Sequence, residues 1–397
     1  MNVDRRAWRA LFAAQLGWML DAMDFLLFTF AVLPIQKEFG LASSTMGLMT
    51  SIALLAGSVG GIAFGLLADR IGRVRALTFS ILLYSLATAG LATAQSPWQL
   101  FVWRLLVGLG MAGEWSCGSV LVAETWPAEY RGKAMGLMQS AWAIGAMLAA
   151  AISSVVLERF GWRVLFLFGA LPAIAAFAIR RGVEEPAVWR EQNVRPRFAD
   201  LFGPLLRRRV VIATAIASSV LIAYWGLTSW LPAFLASPVA AGGAGLTLTK
   251  SARWLIVLQS GAFLGYVTFG WIADRIGRRP AFTLFVIGAA IVVPIFAFGA
   301  RSPLMLLTIG PLVGYFGHGY FSVFGAMLAE LFPTHIRATA QGFCYNAGRC
   351  FSVLAPFGIG ALMPRLGIGV LLACDALFFA LGGALIWLLP ETKGAEV

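Results

Sequence analysis

Long apolar stretches separated by short polar loops run along almost the whole chain. Each stretch is about 20 residues long, the length at which a helix crosses the hydrocarbon core of a bilayer. Reading these stretches predicts twelve membrane-spanning helices, at residues 11–33, 46–67, 76–94, 98–121, 134–157, 163–179, 210–235, 251–272, 281–299, 303–329, 338–363 and 368–389. The pattern therefore predicts an all-α membrane protein.

One polar segment is much longer than the other loops, and it lies between the sixth and seventh predicted spans. We place the boundary between two six-helix bundles there. The prediction is an N-terminal bundle at residues 1–179, a cytoplasmic linker at 180–209 and a C-terminal bundle at 210–397.

Two charged motifs occur once in each half. The second predicted span ends in Gly65-Leu-Leu-Ala-Asp-Arg-Ile-Gly-Arg, and the eighth ends in Gly270-Trp-Ile-Ala-Asp-Arg-Ile-Gly-Arg, 205 residues later. A second motif follows the fourth and tenth spans at an offset of 206 residues. Two motifs repeating at nearly one offset predict two pseudo-symmetric bundles, related by an axis along the membrane normal.

The charged residues of these motifs lie where helices meet short loops, and their charges can pair. We expect networks of such pairs to close one face of the protein and to act as gating elements. The gating candidates are Asp69, Arg70, Arg73, Glu124, Arg131, Asp274, Arg275, Arg278, Glu330 and Arg337.

The chain has a net charge of +12, and the positions of its Lys and Arg residues show how to interpret it. With the N-terminus inside, 21 of them fall in inner segments and 7 in outer segments. The positive-inside rule then predicts that both termini are cytoplasmic. The charge is therefore a topology signal, and it gives no support for nucleic-acid binding.

Few charged side chains lie inside the predicted spans: Asp21, Asp24, Arg104, Glu114, Arg349 and Asp375. An ionised aspartate at mid-bilayer costs about 2.5–3.5 kcal/mol on insertion scales, so each should face protein or water. Spaced i and i+3, Asp21 and Asp24 lie near one helix face. They are either helix-packing groups or a proton or ligand site.

Arg349, halfway along the eleventh span, is the candidate anchor for an anionic substrate. Its guanidinium is a planar, permanently charged fork that suits a carboxylate. The alternative is an ion pair with Asp375 or Glu114 inside the bundle.

Proton coupling requires a group whose proton affinity changes with hydration and with neighbouring charges. Asp21 and Asp24 are the leading candidates, and the sequence leaves open which of them carries the proton. Glu114, Arg104 and His318 are further candidates, although for His318 a packed, hydrogen-bonded histidine is the more ordinary interpretation.

Polar and aromatic residues near mid-membrane are candidates for shaping the substrate pocket, although each also suits helix packing. These residues are Gln139, Tyr224, Trp225, Gln259, Tyr315, Tyr345 and Asn346.

The repeated loops resemble the signature of the major facilitator superfamily of secondary transporters. The sequence around Arg104, Gly108 and Gly110 is similar to its fourth-helix motif R-x-x-x-G-x-G. The resemblance covers essentially the whole chain, and it implies twelve helices around a mid-membrane site with alternating access.

Other elements resemble particular branches. Glu184-Glu185-Pro-Ala-Val-Trp is similar to the E-S-P-x-W element after the sixth helix, with Glu185 in place of Ser. Asp21-Ala-Met-Asp24 is similar to the D-G-x-D element of aromatic-acid:proton symporters, with alanine in place of glycine. The stretch around Glu114 resembles the sialate:proton symporter branch, which includes lactate and pyruvate carriers.

These resemblances imply proton-coupled symport of a small organic anion, either a monocarboxylate such as lactate or pyruvate or a sialate-like acid. Proton-driven antiport or efflux, uptake of an aromatic acid, and a non-transporting sensor remain alternatives. We expect a monomer in the bacterial inner membrane without a cofactor, and not an enzyme. The chain contains no G-x-x-x-x-G-K-[ST] loop for ATP, so an ion gradient is the expected energy source.

Overall fold

The helices of the protein lie in the order of the predicted spans. The computed structural model describes residues 3–41, 43–191, 197–236, 238–245, 248–299 and 302–396. The α-helices are α1 Arg5–Phe39, α2 Ser43–Ile71, α3 Arg73–Leu91, α4 Pro97–Thr125, α5 Arg131–Leu167, α6 Leu171–Gly182, α7 Ala187–Arg190, α8 Arg207–Ala236, α9 Leu248–Ile276, α10 Arg278–Gly299, α11 Pro303–Gly319, α12 Phe321–Leu331, α13 Arg337–Ser352, α14 Leu354–Leu366 and α15 Ile368–Leu385. Short 3₁₀ turns connect some of them, and all secondary structure in the described residues is helical.

Ten helical stretches of the described residues are long and apolar enough to cross a membrane. The sixth, tenth and eleventh predicted spans are not continuous helices. The sixth begins in the last turn of α5, passes through a 3₁₀ turn at Phe168–Ala170 and continues in α6. The eleventh is divided at Val353 between α13 and α14. The tenth is divided at Tyr320 between α11 and α12. The order of the spans is as predicted, but these three are interrupted.

Two helix starts repeat between the halves. Ser96 caps α4, where its hydroxyl accepts the Gln99 N–H at 3.4 Å. Ser302, 206 residues later, caps α11 by accepting the Met305 N–H at 3.3 Å. A proline follows each serine, at the first helical turn, where its missing N–H costs no hydrogen bond.

The sharp turns repeat as well, because they need a glycine with positive φ. Gly72 (φ 114°) separates α2 from α3, and Gly277 (φ 105°) separates α9 from α10. Gly161 (φ 78°) breaks α5, and Gly367 (φ 77°) separates α14 from α15. Both pairs match the offsets of the charged motifs, so the repeat extends to backbone conformation.

Helices from the two halves approach closely at glycines. A Cβ on Gly65 of α2 would overlap the backbone at Ala338 of α13, and a Cβ on Gly270 of α9 would overlap the backbone at Gly132 of α5. Glycine leaves no side chain between the two helices, so their backbones can pack directly against each other.

The predicted linker at 180–209 contains α7 and a 3₁₀ turn at Phe198–Phe202, and residues 192–196 lie outside the described part of the chain. α6 continues to Gly182 and α8 begins at Arg207, so helix ends extend into the predicted linker from both sides. The division into two bundles at this segment remains a prediction.

Candidate functional site

A buried charge network joins α2, α3, α4 and α13 at the end of the protein that carries both termini. Asp69 accepts the backbone N–H groups of Ala338 (3.2 Å) and Thr339 (2.7 Å), at the first turn of α13. It also pairs with Arg73 at 2.9 Å. Arg73 binds both carboxylate oxygens of Glu124 at 2.9 Å, a bidentate geometry typical of strong charged pairs.

A second network repeats this arrangement in the other half. Asp274 accepts the backbone N–H groups of Gly132 (3.0 Å) and Lys133 (2.9 Å), at the start of α5. Arg278 pairs with Asp274 at 2.6 Å and donates to both oxygens of Glu330.

The two networks exchange one arginine each. Arg337 of the C-terminal half donates to Glu124 at 2.7 Å, and Arg131 of the N-terminal half donates to Glu330 at 2.9 Å. These contacts tie the halves together at this face. The side chains of Arg70 and Arg275, predicted to act with them, are exposed to solvent outside the networks.

Two glutamates beside the networks were not among the predicted gating residues, although Glu185 belongs to the motif that follows the sixth span. Glu185 accepts the N–H groups of Val74 and Arg75 at 3.1 Å, at the start of α3. Glu391 does the same at the start of α10, from Arg278 (2.8 Å) and Arg279 (3.1 Å). The sequence contained a signal for this pair, since the two glutamates are 206 residues apart, the offset of the second charged motif.

The environment of Glu391 lowers the pKa of its carboxyl group. Partial burial alone would raise the pKa, but the N–H groups of Arg278, Lys393, Arg279 and Thr392 outweigh it by stabilising the carboxylate. The anion that caps α10 is therefore held ionised.

At mid-depth, a small cavity lies between helices of the two halves. Its volume is about 30 Å³, room for water but not for an organic anion. It is lined by Trp18, Asp21, Phe25, Ala53, Leu54, Gly57, Gly108, Met111, Ala112, Trp142, Trp225 and Arg349.

Asp21 and Arg349 are the two charged residues of this lining. Arg349 acts electrostatically on Asp21, which is 1% exposed. The Arg349 guanidinium carbon lies 5.4 Å from the centroid of the Tyr345 ring, and its Nε has no hydrogen-bond partner in the described structure. The structure therefore brings together the predicted anion anchor and one of the two predicted coupling carboxylates.

Asp24 and Glu114 are buried behind this cavity rather than in its lining. Asp21 acts electrostatically on both of them, and all three act on the hydroxyl of Tyr84 in α3. Gly17 makes room for Glu114, because a Cβ there would lie 2.6 Å from its Oε1. Tyr84 was not predicted, since a tyrosine in an apolar span carries no distinguishing signal.

Arg104 lies over the face of Phe28, 3.8 Å from the ring centroid. Its Nε and Nη1 are buried and have no hydrogen-bond partner within the described residues. A cation–π contact compensates part of the cost of that buried charge.

His318 lies apart from the carboxyl groups, inside the C-terminal half. It is 1% exposed and packs edge-on against Tyr224 (5.1 Å between ring centroids) and Tyr266 (6.3 Å). Asp375 lies against Gly226, where a Cβ would be 2.6 Å from its Oδ1. The described contacts place neither residue in the cavity lining.

The remaining predicted pocket residues, Trp225 apart, pack around the cavity or away from it. Tyr345 stacks on Trp115 (4.1 Å), whose indole N–H donates to Gln139. Asn346 donates to the Gly342 carbonyl at 2.9 Å. The others are Tyr224, beside His318; Gln259, half-buried on α9; and Tyr315, whose hydroxyl accepts from Thr268 at 2.8 Å.

The described residues contain no cluster of three or more His, Cys, Asp or Glu side chains that could hold a metal ion.

Comparisons with known proteins identify the family and the fold of the chain. The Major Facilitator Superfamily model matches residues 10–252 and 240–397. The cis,cis-muconate transport protein of Acinetobacter baylyi is 30% identical over 381 residues, covering 93% of this chain and 91% of that protein. The sialic acid transporter NanX of Escherichia coli is 28% identical over 366 residues, covering 91% and 89%.

A solved structure shows the same fold. The proton:xylose symporter XylE, bound to 6-bromo-6-deoxy-D-glucose, superimposes with a TM-score of 0.82 at 20% identity. The superposition covers 98% of this chain and 97% of that one. The family match over nearly the whole chain and this shared fold confirm the predicted twelve-helix architecture. The chain belongs to the Major Facilitator Superfamily, and it is a membrane transporter rather than an enzyme.

Proposed function

We propose that this transporter carries an organic acid anion together with a proton, by symport. One observation carries the proposal: Arg349 and Asp21 lie in the lining of the same mid-membrane cavity. The named relatives, which carry muconate and sialic acid, support an organic acid as the substrate.

The coupling follows from competition for one cation. In the proposed cycle Arg349 acts as the counter-ion of Asp21 while the site is empty, because these two are the charged residues of the cavity lining. A substrate carboxylate that binds Arg349 takes this counter-ion, and a buried carboxylate without one is costly. Asp21 then takes up a proton, so anion and proton bind together.

Asp24 and Glu114 lie behind Asp21 and share the proton with it. Both are fully buried, and their carboxyl oxygens have no hydrogen-bond partners among the described residues. Because Asp21 acts electrostatically on each, the three carboxyl groups titrate as a coupled set rather than independently.

The two charge networks provide the gate. They close the face that carries both termini, which we place in the cytoplasm from the distribution of Lys and Arg. Opening this face requires breaking both crossed pairs, Arg337 with Glu124 and Arg131 with Glu330.

We place the protein, as a monomer, in the bacterial inner membrane.

Uptake into proteoliposomes tests the proposal. The panel is lactate, pyruvate, sialate and benzoate, supplied outside at acidic pH with a neutral interior, and protein-free liposomes correct for passive entry of the uncharged acids. We expect protein-dependent accumulation of at least one acid, which a protonophore abolishes. Accumulation driven only by an acidic interior would overturn symport and establish antiport.

Two variants separate binding from coupling. Arg349→Ala is expected to abolish uptake, because the anion loses its cation. Asp21→Asn is expected to keep exchange of external for internal substrate but to lose accumulation driven by the pH gradient. The proposed assignment fails if Asp24→Asn loses this accumulation and Asp21→Asn retains it.

A further inference from the structure

Four aromatic rings enclose the cavity that contains Arg349. Trp18 and Trp142 have ring centroids 4.9 Å apart, and Phe25 contacts both Trp142 (6.4 Å) and Trp225 (6.3 Å). The rings come from α1, α5 and α8, and together they form a continuous aromatic wall.

The wall spans both halves of the protein. Phe25 and Trp142 belong to the N-terminal half and Trp225 to the C-terminal half. Because the cavity now holds only water-sized molecules, a substrate has to separate these rings and take the place of their contacts with one another. A flat π-system replaces ring–ring contacts with contacts of the same kind.

The lining offers little to a hydroxylated substrate. Apart from Asp21, Arg349 and the indole N–H groups, the lining of the described structure consists of apolar side chains and glycines. Hydroxyl groups buried here lose their water without gaining partners, which penalises polyhydroxylated acids. The single guanidinium fork matches one carboxylate, and the lining of the described structure holds no second cation for another.

We infer that the substrate is a planar, conjugated monocarboxylate whose flat apolar body lies between these rings, with its carboxylate on Arg349. This inference rests on the proposed function, and it narrows the substrate class at the same site. It places sialate-like acids and short saturated acids such as lactate outside the preferred class.

Binding to the purified protein in lipid nanodiscs tests the inference, with isothermal titration calorimetry as the measurement. The probes are two planar acids, benzoate and cinnamate, and their saturated counterparts, cyclohexanecarboxylate and 3-cyclohexylpropionate. Each pair has the same carbon skeleton and charge, so flatness and conjugation are the differences. We expect at least one planar acid to bind at least about tenfold more tightly than its counterpart and than lactate or sialate.

Variants assign the preference to the wall. Trp142→Leu is expected to reduce the planar-to-saturated ratio towards one, and Trp142→Phe to restore most of it. Trp225→Leu is a second, independent variant should Trp142→Leu fail to fold, as judged by thermal unfolding.

The outcomes separate the inference from the proposed function. Equal affinity for both members of each pair, or tighter binding of sialate or lactate, overturns the planar-acid inference and leaves the carboxylate site standing. Absence of carboxylate binding altogether, or binding that Arg349→Ala leaves unchanged, overturns the proposed function itself.

Discussion

At the scale of single residues, the N-terminal helices bury polar groups that the described structure leaves without hydrogen-bond partners. These include both carboxyl oxygens of Asp24, both of Glu114, and Nε and Nη1 of Arg104. Unpartnered buried groups are costly, and proteins retain them mainly where they serve function. In the proposed function, the carboxyl groups of Asp24 and Glu114, on which Asp21 acts electrostatically, take part in accepting and releasing protons.

Glu38 lies outside the membrane-spanning part of α1, and its carboxylate, unlike those of Asp24 and Glu114, has hydrogen-bond partners in the described structure. Arg163 donates to its carboxylate at 2.9 Å, and the Trp162 indole N–H donates at 2.7 Å. The hydrogen bond from Arg163 is the main cause that lowers the pKa of Glu38, with a further contribution from Trp162. The carboxylate therefore stabilises the fold above its ordinary pKa, and this stabilisation is lost as the pH falls through the lowered pKa.

We predict that Glu38→Gln lowers the thermal unfolding temperature at pH 7, and that the difference from wild type disappears at acidic pH. The pair with Arg163 is about 40% exposed, so its contribution is below about 1 kcal/mol. Thermal unfolding in detergent from pH 7 to 3 measures it, with the exposed Glu129→Gln as the control. A difference that stays constant with pH would contradict the assigned cause.

At the scale of helices, sequence patterning located the spans but not all of their ends. Apolar runs are readable because a bilayer demands about 20 residues. The break at Val353 depends on local backbone chemistry: Pro356, three residues on, has no N–H for the helix ladder. The break at Tyr320, between α11 and α12, follows Gly317 and Gly319, which have low helix propensity.

The rotation of each helix was harder to predict. Apolar side chains cover most of every span, so the sequence does not indicate which face turns to the cavity. Arg349 and Trp225, predicted as pocket residues, line the cavity, whereas Tyr315 packs within the C-terminal half, with its ring stacked on Phe285. Trp18 and Phe25 also line the cavity, and they were not predicted to do so, because their positions there depend on neighbours from other helices.

Close helix contact gives a prediction within α11. A Cβ on Gly314 would overlap the Leu258 carbonyl of α9 and lie 2.9 Å from the Ala262 nitrogen, whereas a Cβ on Gly310 would meet its nearest atom at 4.0 Å. We predict that Gly314→Ala destabilises the protein by about 1–3 kcal/mol, because backbone atoms cannot yield as a side chain can. Gly310→Ala, in the same helix, is the matched control and should change stability by less than about 0.5 kcal/mol.

Thermal unfolding of the two variants, in the same detergent and at the same pH, measures this difference. Equal destabilisation by both substitutions would show that helix propensity or lipid contact matters more than the approach of α9.

At the scale of the whole molecule, the charge networks are arranged crosswise. Each half supplies an aspartate that accepts N–H groups at a helix start in the other half. Each half also supplies an arginine to the other half's glutamate. The repeat in the sequence predicted the eight network residues together with the exposed Arg70 and Arg275, but not this exchange, because a repeat offset says nothing about which half a side chain reaches.

The crosswise arrangement predicts that the closed face opens as one unit. In Asp69→Ala, the N–H groups of Ala338 and Thr339 lose their acceptor, and a first helical turn has no internal replacement. With the bond from the Thr339 hydroxyl (2.7 Å), three hydrogen bonds of about 1 kcal/mol each are lost, along with the ion pair to Arg73. Opening of this face should therefore become at least about tenfold more frequent. If the halves move as rigid bodies, the distant Asp274 contact opens with it.

Hydrogen–deuterium exchange measures this opening. In Asp69→Ala, we expect faster exchange both at residues 338–339 and at residues 132–133, whose N–H groups bind Asp274 and do not contact Asp69. Asp274→Ala should give the reciprocal result, and Asp200→Ala, in the predicted linker, should change neither segment. Faster exchange confined to the segment next to each substitution would show that the two networks open separately, and it would contradict the rocking of one half against the other.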